Sequence, residues 1–106
     1  MFKVLGKEGR TVPLICCDVC GSWIDDIGHG AAVFESPRAE GESQAVTMVH
    51  KGACHDKAEQ QLRAHSKVTG WQELGRYLMD ALHNGGLTLD AMNAAKDRDD
   101  EFGGPL

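Results

Sequence analysis

The chain has 106 residues and a mass of 11.5 kDa, with 42% apolar and 25% charged side chains. That is the composition of one modest globular domain, and it excludes a wholly disordered or collagen-like chain. Lys and Arg total 11 and Asp and Glu 16, a net charge of −5 shared between both halves of the chain, so no hidden basic segment is on offer to nucleic-acid phosphates.

No apolar run approaches a membrane span. The segment Met1 to Glu8 lacks the apolar stretch of a secretory signal, so the expectation is a cytoplasmic protein with no membrane partner.

Phe2 to Leu5 alternates weakly and predicts at best an edge strand. Gly6 to Arg10 reads as a turn on its two glycines. Thr11 to Cys16 is apolar and β-branched, and Pro13 assigns it to a sheet edge. It runs straight into Cys17-Asp18-Val19-Cys20-Gly21. The two-residue gap lets two thiolates converge on one cation, and Gly21 supplies a residue that tolerates positive φ where the backbone turns beneath it. Trp23 and Ile24 resume an apolar segment, Asp25 to Gly30 reads as a turn, and Ala31 to Glu35 as a strand. Ser36 to Ser43 is a polar loop. Ala45 to His50 is the clearest strand, with Val46, Met48 and His50 on one face and Ala45, Thr47 and Val49 on the other.

The period then changes. Between Gly52 and Ser66, Cys54, Ala58, Leu62 and His65 recur at helical spacing, which places Cys54 in the first turn of a helix. Thr69 to Gln72 has capping-box spacing and predicts a second helix with Trp71, Leu74, Leu78 and Leu82 as its apolar stripe, stopped at Asn84-Gly85-Gly86. Thr88 caps a third helix, whose face is Leu89, Met92 and Ala95 and which ends at Lys96. Residues 97–106 read as a flexible tail.

The four cysteines are Cys16, Cys17, Cys20 and Cys54. Two disulfides are a poor reading, because three of the four lie within five residues and the expected compartment is reducing. A metal site is the better one. His50-Lys51-Gly52-Ala53-Cys54 provides a second ligand pair, separated from Cys20 by 29 residues, and the set Cys17, Cys20, His50 and Cys54 is a closed Cys3His combination suited to one structural zinc ion. Two alternatives stay open in the register: Cys16 in place of Cys17, and His55 in place of His50.

A turn with two cysteines after a strand, then a hairpin, then a helix carrying a ligand in its first turn resembles the treble-clef class of zinc modules. The matching residues are Cys17, Cys20, Gly21, His50 and Cys54. The order Cys, Cys, His, Cys is also similar to the first half-site of LIM domains, although the gap between the pairs is longer and no second site follows. The chain further resembles small bacterial proteins that join a CxxCG segment to a short helical tail, a likeness that implies no activity.

The resulting expectation is an α+β chain of short antiparallel strands with a zinc turn, followed by about three helices. It forms a single zinc-stabilised domain over 1–96, divided into a zinc module at 11–66 and a helical hairpin at 69–96. Its expected role is a protein-interaction module rather than an enzyme: four protein ligands leave zinc no open position for water, His29 and His55 have no catalytic companion at recognisable spacing, and His29, His65 and His83 read as surface residues. The expected partner is a protein or a second copy, met through Trp71, Tyr77 and Leu78. Two alternatives are a nucleic-acid-binding regulator using the last two helices as a helix-turn-helix, which the Thr88 to Asp97 segment, with two acids and one Lys, disfavours, and a redox-sensing zinc–thiolate protein with Cys16 as an extra thiol.

Overall fold

A computed structural model of the chain describes residues 1–65 and 68–96. The element order is β1 (Phe2–Lys7), β2 (Arg10–Ile15), a single 3-10 turn (Ile27–His29), β3 (Gly30–Glu35), β4 (Val46–His50), α1 (Ala53–Arg63), β5 (Thr69–Glu73), α2 (Leu74–Asn84) and α3 (Leu89–Lys96). The fold is α+β, with two small antiparallel sheets and three helices. The expected tail at 97–106 lies outside the described residues.

β1 and β2 form a hairpin from Phe2↔Ile15 to Lys7↔Arg10, closed by Glu8 and Gly9, both at positive φ. Two consecutive positive-φ residues give a tight turn whose twist matches that of the strands it joins. β1 is exposed along its whole length, and Pro13 sits on β2, which has no further strand on its outer side, so its missing N–H costs no ladder bond.

The second sheet has the order β4-β3-β5, with β3 central and both pairings antiparallel. The core lies here: Ala31, Ala32 and Val33 of β3, Val49 of β4, Leu74 of α2 and Ala58 of α1 are all buried. On one face His55 of α1 meets the Trp71 ring edge-on, 5.1 Å between centroids. On the other, Tyr77 of α2 lines a small pocket with Phe34, Val46 and Gln72. The sheet is thus a middle layer between α1 and α2.

The segment Thr69–Glu73 corrects the sequence reading. It is not the capped start of a helix but the strand β5, paired with β3 from Ala31↔Glu73 to Glu35↔Thr69. A Cβ at Gly70 would stand 2.8 Å from the Phe34 ring, so the glycine allows close approach of this edge. α2 therefore begins at Leu74, and Trp71 leaves the helical stripe for the sheet.

The end of α2 and the start of α3 follow the expected chemistry. Gly86 has φ +86, its N–H bonds to the carbonyl of His83, and the Leu87 N–H reaches back to the carbonyl of Leu82, the six-to-one bond of a glycine-terminated helix. The Thr88 hydroxyl accepts from the Ala91 N–H at 3.1 Å. Among the described residues no helix is long and apolar enough to cross a membrane.

Candidate metal centre

The first cysteine pair sits where the chain leaves β2. Cys16 makes an antiparallel bridge with Trp23, the Ile24 N–H donates to the carbonyl of Ile15, and the Cys17 N–H donates to the carbonyl of Ser22. The segment between is a tight knuckle, closed by the Gly21 N–H on the carbonyl of Cys17 at 2.9 Å, with Gly21 at φ +78. Inside it the backbone N–H groups of Val19 and Cys20 point at the Cys17 sulfur from 3.4 and 3.5 Å. Such N–H groups favour thiolate over thiol and fix the direction in which the sulfur presents its remaining lone pairs.

The second pair is carried by the junction of β4 and α1. His50 is the last residue of β4, Gly52 takes φ +91 to turn the chain, and Cys54 is the second residue of α1. A side chain at Gly52 would be strained there, so this glycine sets the sharp angle between strand and helix.

Two contacts missed from the sequence join the halves. The Asp18 N–H donates to the carbonyl of Met48, and the Met48 N–H donates to Asp18 Oδ2, both at 2.8 Å. They dock the knuckle onto β4 two residues before His50. His50 Nε2 lies 3.1 Å from the carbonyl of Trp23. A carbonyl only accepts, so Nε2 carries the proton and Nδ1 keeps its lone pair, directed into the cluster 3.5 Å from the Cys20 sulfur. An aspartate within a CxxC and a tryptophan three residues after it carry no separate signal in the sequence.

The sulfurs of Cys17, Cys20 and Cys54 and one ring nitrogen of His50 all lie within 4.8 Å of one another. This is the metal-competent His/Cys/Asp/Glu group among the described residues, and its four members are those expected from the sequence. A tetrahedral zinc with bonds of ~2.0–2.3 Å requires sulfur–sulfur edges of about 3.7 Å and a sulfur–nitrogen edge of about 3.5 Å. The Cys20–His50 edge is 3.5 Å, and the largest separation would need to contract by about an ångström, within reach of rotations of side chains that are not all buried. The donor set and the spacing fit one metal ion.

The two alternative ligands lie elsewhere. Cys16 is buried and takes no part in the cluster. His55 projects from the other side of α1, with Nε2 3.1 Å from Glu59 Oε1 and its ring against Trp71.

The electrostatics divide the thiols. At Cys17 burial opposes ionisation, but the N–H groups of Cys20, His50 and Val19 and the His50 ring outweigh it and hold the thiol down to about 6. The Ser22 N–H lowers Cys20. Partial burial, reinforced by the sulfurs of Cys17 and Cys20, pushes Cys54 up to about 11. His50 is raised, first by its contact with Cys17. Crowded sulfurs that disfavour one another's ionisation are what a divalent cation would relieve.

Comparison of the chain with protein-family models, with curated proteins and with solved structures returned no match.

Proposed function

We propose that this chain is a zinc-binding protein in which Cys17, Cys20, His50 and Cys54 hold one structural Zn2+ ion, and that the metal supports a module for binding another protein. The observation that carries the metal reading is the convergence of three sulfurs and one imidazole nitrogen, drawn from two segments 29 residues apart, to within 4.8 Å. Three thiolates and one imidazole suit zinc, whereas hard ions such as magnesium and calcium take oxygen ligands. With all four positions filled by the protein, the ion has a structural part rather than a catalytic one. The order knuckle, hairpin, helix supports a treble-clef-like module, with β3 and β4 as the hairpin and α1 as the ligand-bearing helix.

The interaction role draws its support from charge and surface. A net charge of −5 disfavours phosphate contact. Trp71 keeps 47% of its surface exposed beside the metal-bearing helix, and Leu82, Leu89 and Met92 are exposed on α2 and α3. Tyr77 and Leu78 pack partly against the core, which leaves Trp71 as the more accessible of the three residues expected to meet a partner.

Metal analysis of the purified full-length chain tests the central claim. About one equivalent of zinc per chain, released by acid or by a thiol-modifying reagent, is the expected result. A folded chain that carries no metal and takes up none when zinc is supplied under reducing conditions would overturn it.

A further inference from the structure

Of the four cysteines, only Cys20 is exposed: Cys16 and Cys17 are buried and Cys54 is intermediate. Cys20 is also a member of the cluster, so an outside reagent that reaches this one sulfur reaches the metal site. The sulfurs of Cys17 and Cys54 both lie within the 4.8 Å span of the ligand atoms, but Cys17 shares the knuckle with Cys20, and its sulfur already receives the Cys20 N–H at 3.5 Å. Bringing the two sulfurs to bonding distance requires side-chain rotation within a single turn and no displacement of α1.

Resting on the zinc reading above, we propose that the site is a peroxide-responsive switch, in which Cys20 is the sulfur that peroxide attacks, Cys17 resolves the product as a disulfide, and zinc is released. The chemistry balances with hydrogen peroxide as the oxidant. The Cys20 thiolate attacks one peroxide oxygen, the O–O bond breaks, hydroxide leaves, and Cys20 becomes a sulfenic acid. The Cys17 thiolate then attacks the Cys20 sulfur, the S–O bond breaks and a second hydroxide leaves. Two thiolates have lost two electrons in all, and the peroxide has gained them. A disulfide sulfur carries no charge and is a poor zinc ligand, so two of the four ligands are lost at once and His50 and Cys54 alone do not retain the ion. A reducing dithiol restores both thiolates and with them the site.

Buried Cys16 has no part in this exchange. Its sulfur lies outside the cluster, and a bridge to adjacent Cys17 would join neighbouring residues in unfavourable geometry.

The experiment uses the full chain loaded with zinc under reducing conditions and then freed of reductant. Zinc content is measured first, so that failure to bind metal counts against the zinc reading and not against the switch. Hydrogen peroxide is then added in steps, with released zinc followed by a chromogenic chelator, free thiols counted, and disulfides located by non-reducing peptide mapping. The expected result is roughly one zinc released and two thiols lost per peroxide consumed, a Cys17–Cys20 linkage, and full rebinding of zinc after dithiothreitol. Cys16→Ser should bind zinc and release it with the same peroxide dependence. A zinc-loaded chain that keeps its metal through a tenfold excess of peroxide would overturn the proposal, as would a linkage through Cys16 or Cys54 in place of Cys17–Cys20.

Discussion

Asp18 and Met48 exchange two hydrogen bonds of 2.8 Å, one from each backbone N–H, and through them the knuckle carrying Cys17 and Cys20 is held to the strand carrying His50. Asp18 thus orients the site without entering it. Asp18→Ala deletes the acceptor for the Met48 N–H and leaves a donor on a buried residue unpaired, which costs about 1–3 kcal/mol. Asp18→Asn keeps an oxygen at the same place and should cost less. Chemical denaturation of the zinc-loaded variants, with affinity measured against a competing chelator, should show Asp18→Ala weaker than Asp18→Asn on both counts. Equal values for the two variants would mean that this contact does not position the site.

The two cysteine–histidine segments were legible because their information is local: CxxCG and HxxxC each sit within five residues, and metal chemistry restricts what such spacings are for. Asp18 and Trp23 were not legible, since their roles exist only once β4 and the knuckle meet. β5 failed for a related reason. Thr69 and Gln72 have the spacing of a helix cap, and Trp71 with Leu74 has helical periodicity, so local pattern favoured a helix. Pairing of Thr69–Glu73 with β3, a strand more than thirty residues earlier, decided otherwise. The end of α2 and the start of α3 were legible because glycine and threonine act there through the backbone next to them.

Gly30 reports on the packing between β3 and α2. A Cβ at this position would stand 2.5 Å from Leu74 Cδ2 and 3.0 Å from Leu74 Cβ, and Leu74 is fully buried. Gly30→Ala should therefore destabilise the fold by about 1–3 kcal/mol through overpacking. At Gly6 nothing lies within 4 Å of the same added atom, so Gly6→Ala should lack that penalty. Thermal denaturation of the two variants side by side measures the difference, and an unchanged melting temperature for Gly30→Ala would contradict the close approach of α2.

The cysteines should separate by reactivity in the metal-free chain. Cys20 is exposed and its thiol is lowered by the Ser22 N–H, so it should be alkylated first at pH 7. Cys54, pushed up to about 11, stays protonated at that pH and should lag. Cys17 is ionised but fully buried, and Cys16 is buried as well, so both should react slowly. Timed labelling with iodoacetamide followed by peptide mapping gives the order. Zinc should protect Cys20 most, and labelling of Cys16 ahead of Cys20 would show the knuckle to be arranged differently.

Zinc binding should release protons in a direction fixed by these shifts. At pH 7 Cys17, at about 6, has already lost its proton, whereas Cys54, at about 11, has not and must lose it to bind metal. Uptake of zinc should thus release at least the Cys54 proton, and affinity should fall as pH drops through 6, where Cys17 becomes protonated too. Titration calorimetry at pH 7 in buffers of different ionisation enthalpy counts the protons. Binding with no proton release would remove Cys54 from the ligand set.

The ligand assignment itself rests on which substitutions cost the metal. Cys17→Ser, Cys20→Ser, His50→Ala and Cys54→Ser each remove an atom of the cluster, and each should lose zinc together with much of the fold, because metal binding and folding are coupled. Cys16→Ser and His55→Ala should retain about one zinc, since Cys16 is buried away from the cluster and His55 is engaged with Glu59 and Trp71. His55→Ala forfeits the aromatic contact with Trp71 and should cost about 0.5–1.5 kcal/mol beyond its lost burial, without changing metal content. Zinc content by elemental analysis, paired with far-ultraviolet circular dichroism, separates the two groups. Loss of zinc from Cys16→Ser with retention in Cys17→Ser would shift the site by one residue along the knuckle and place the wrong sulfur at its centre.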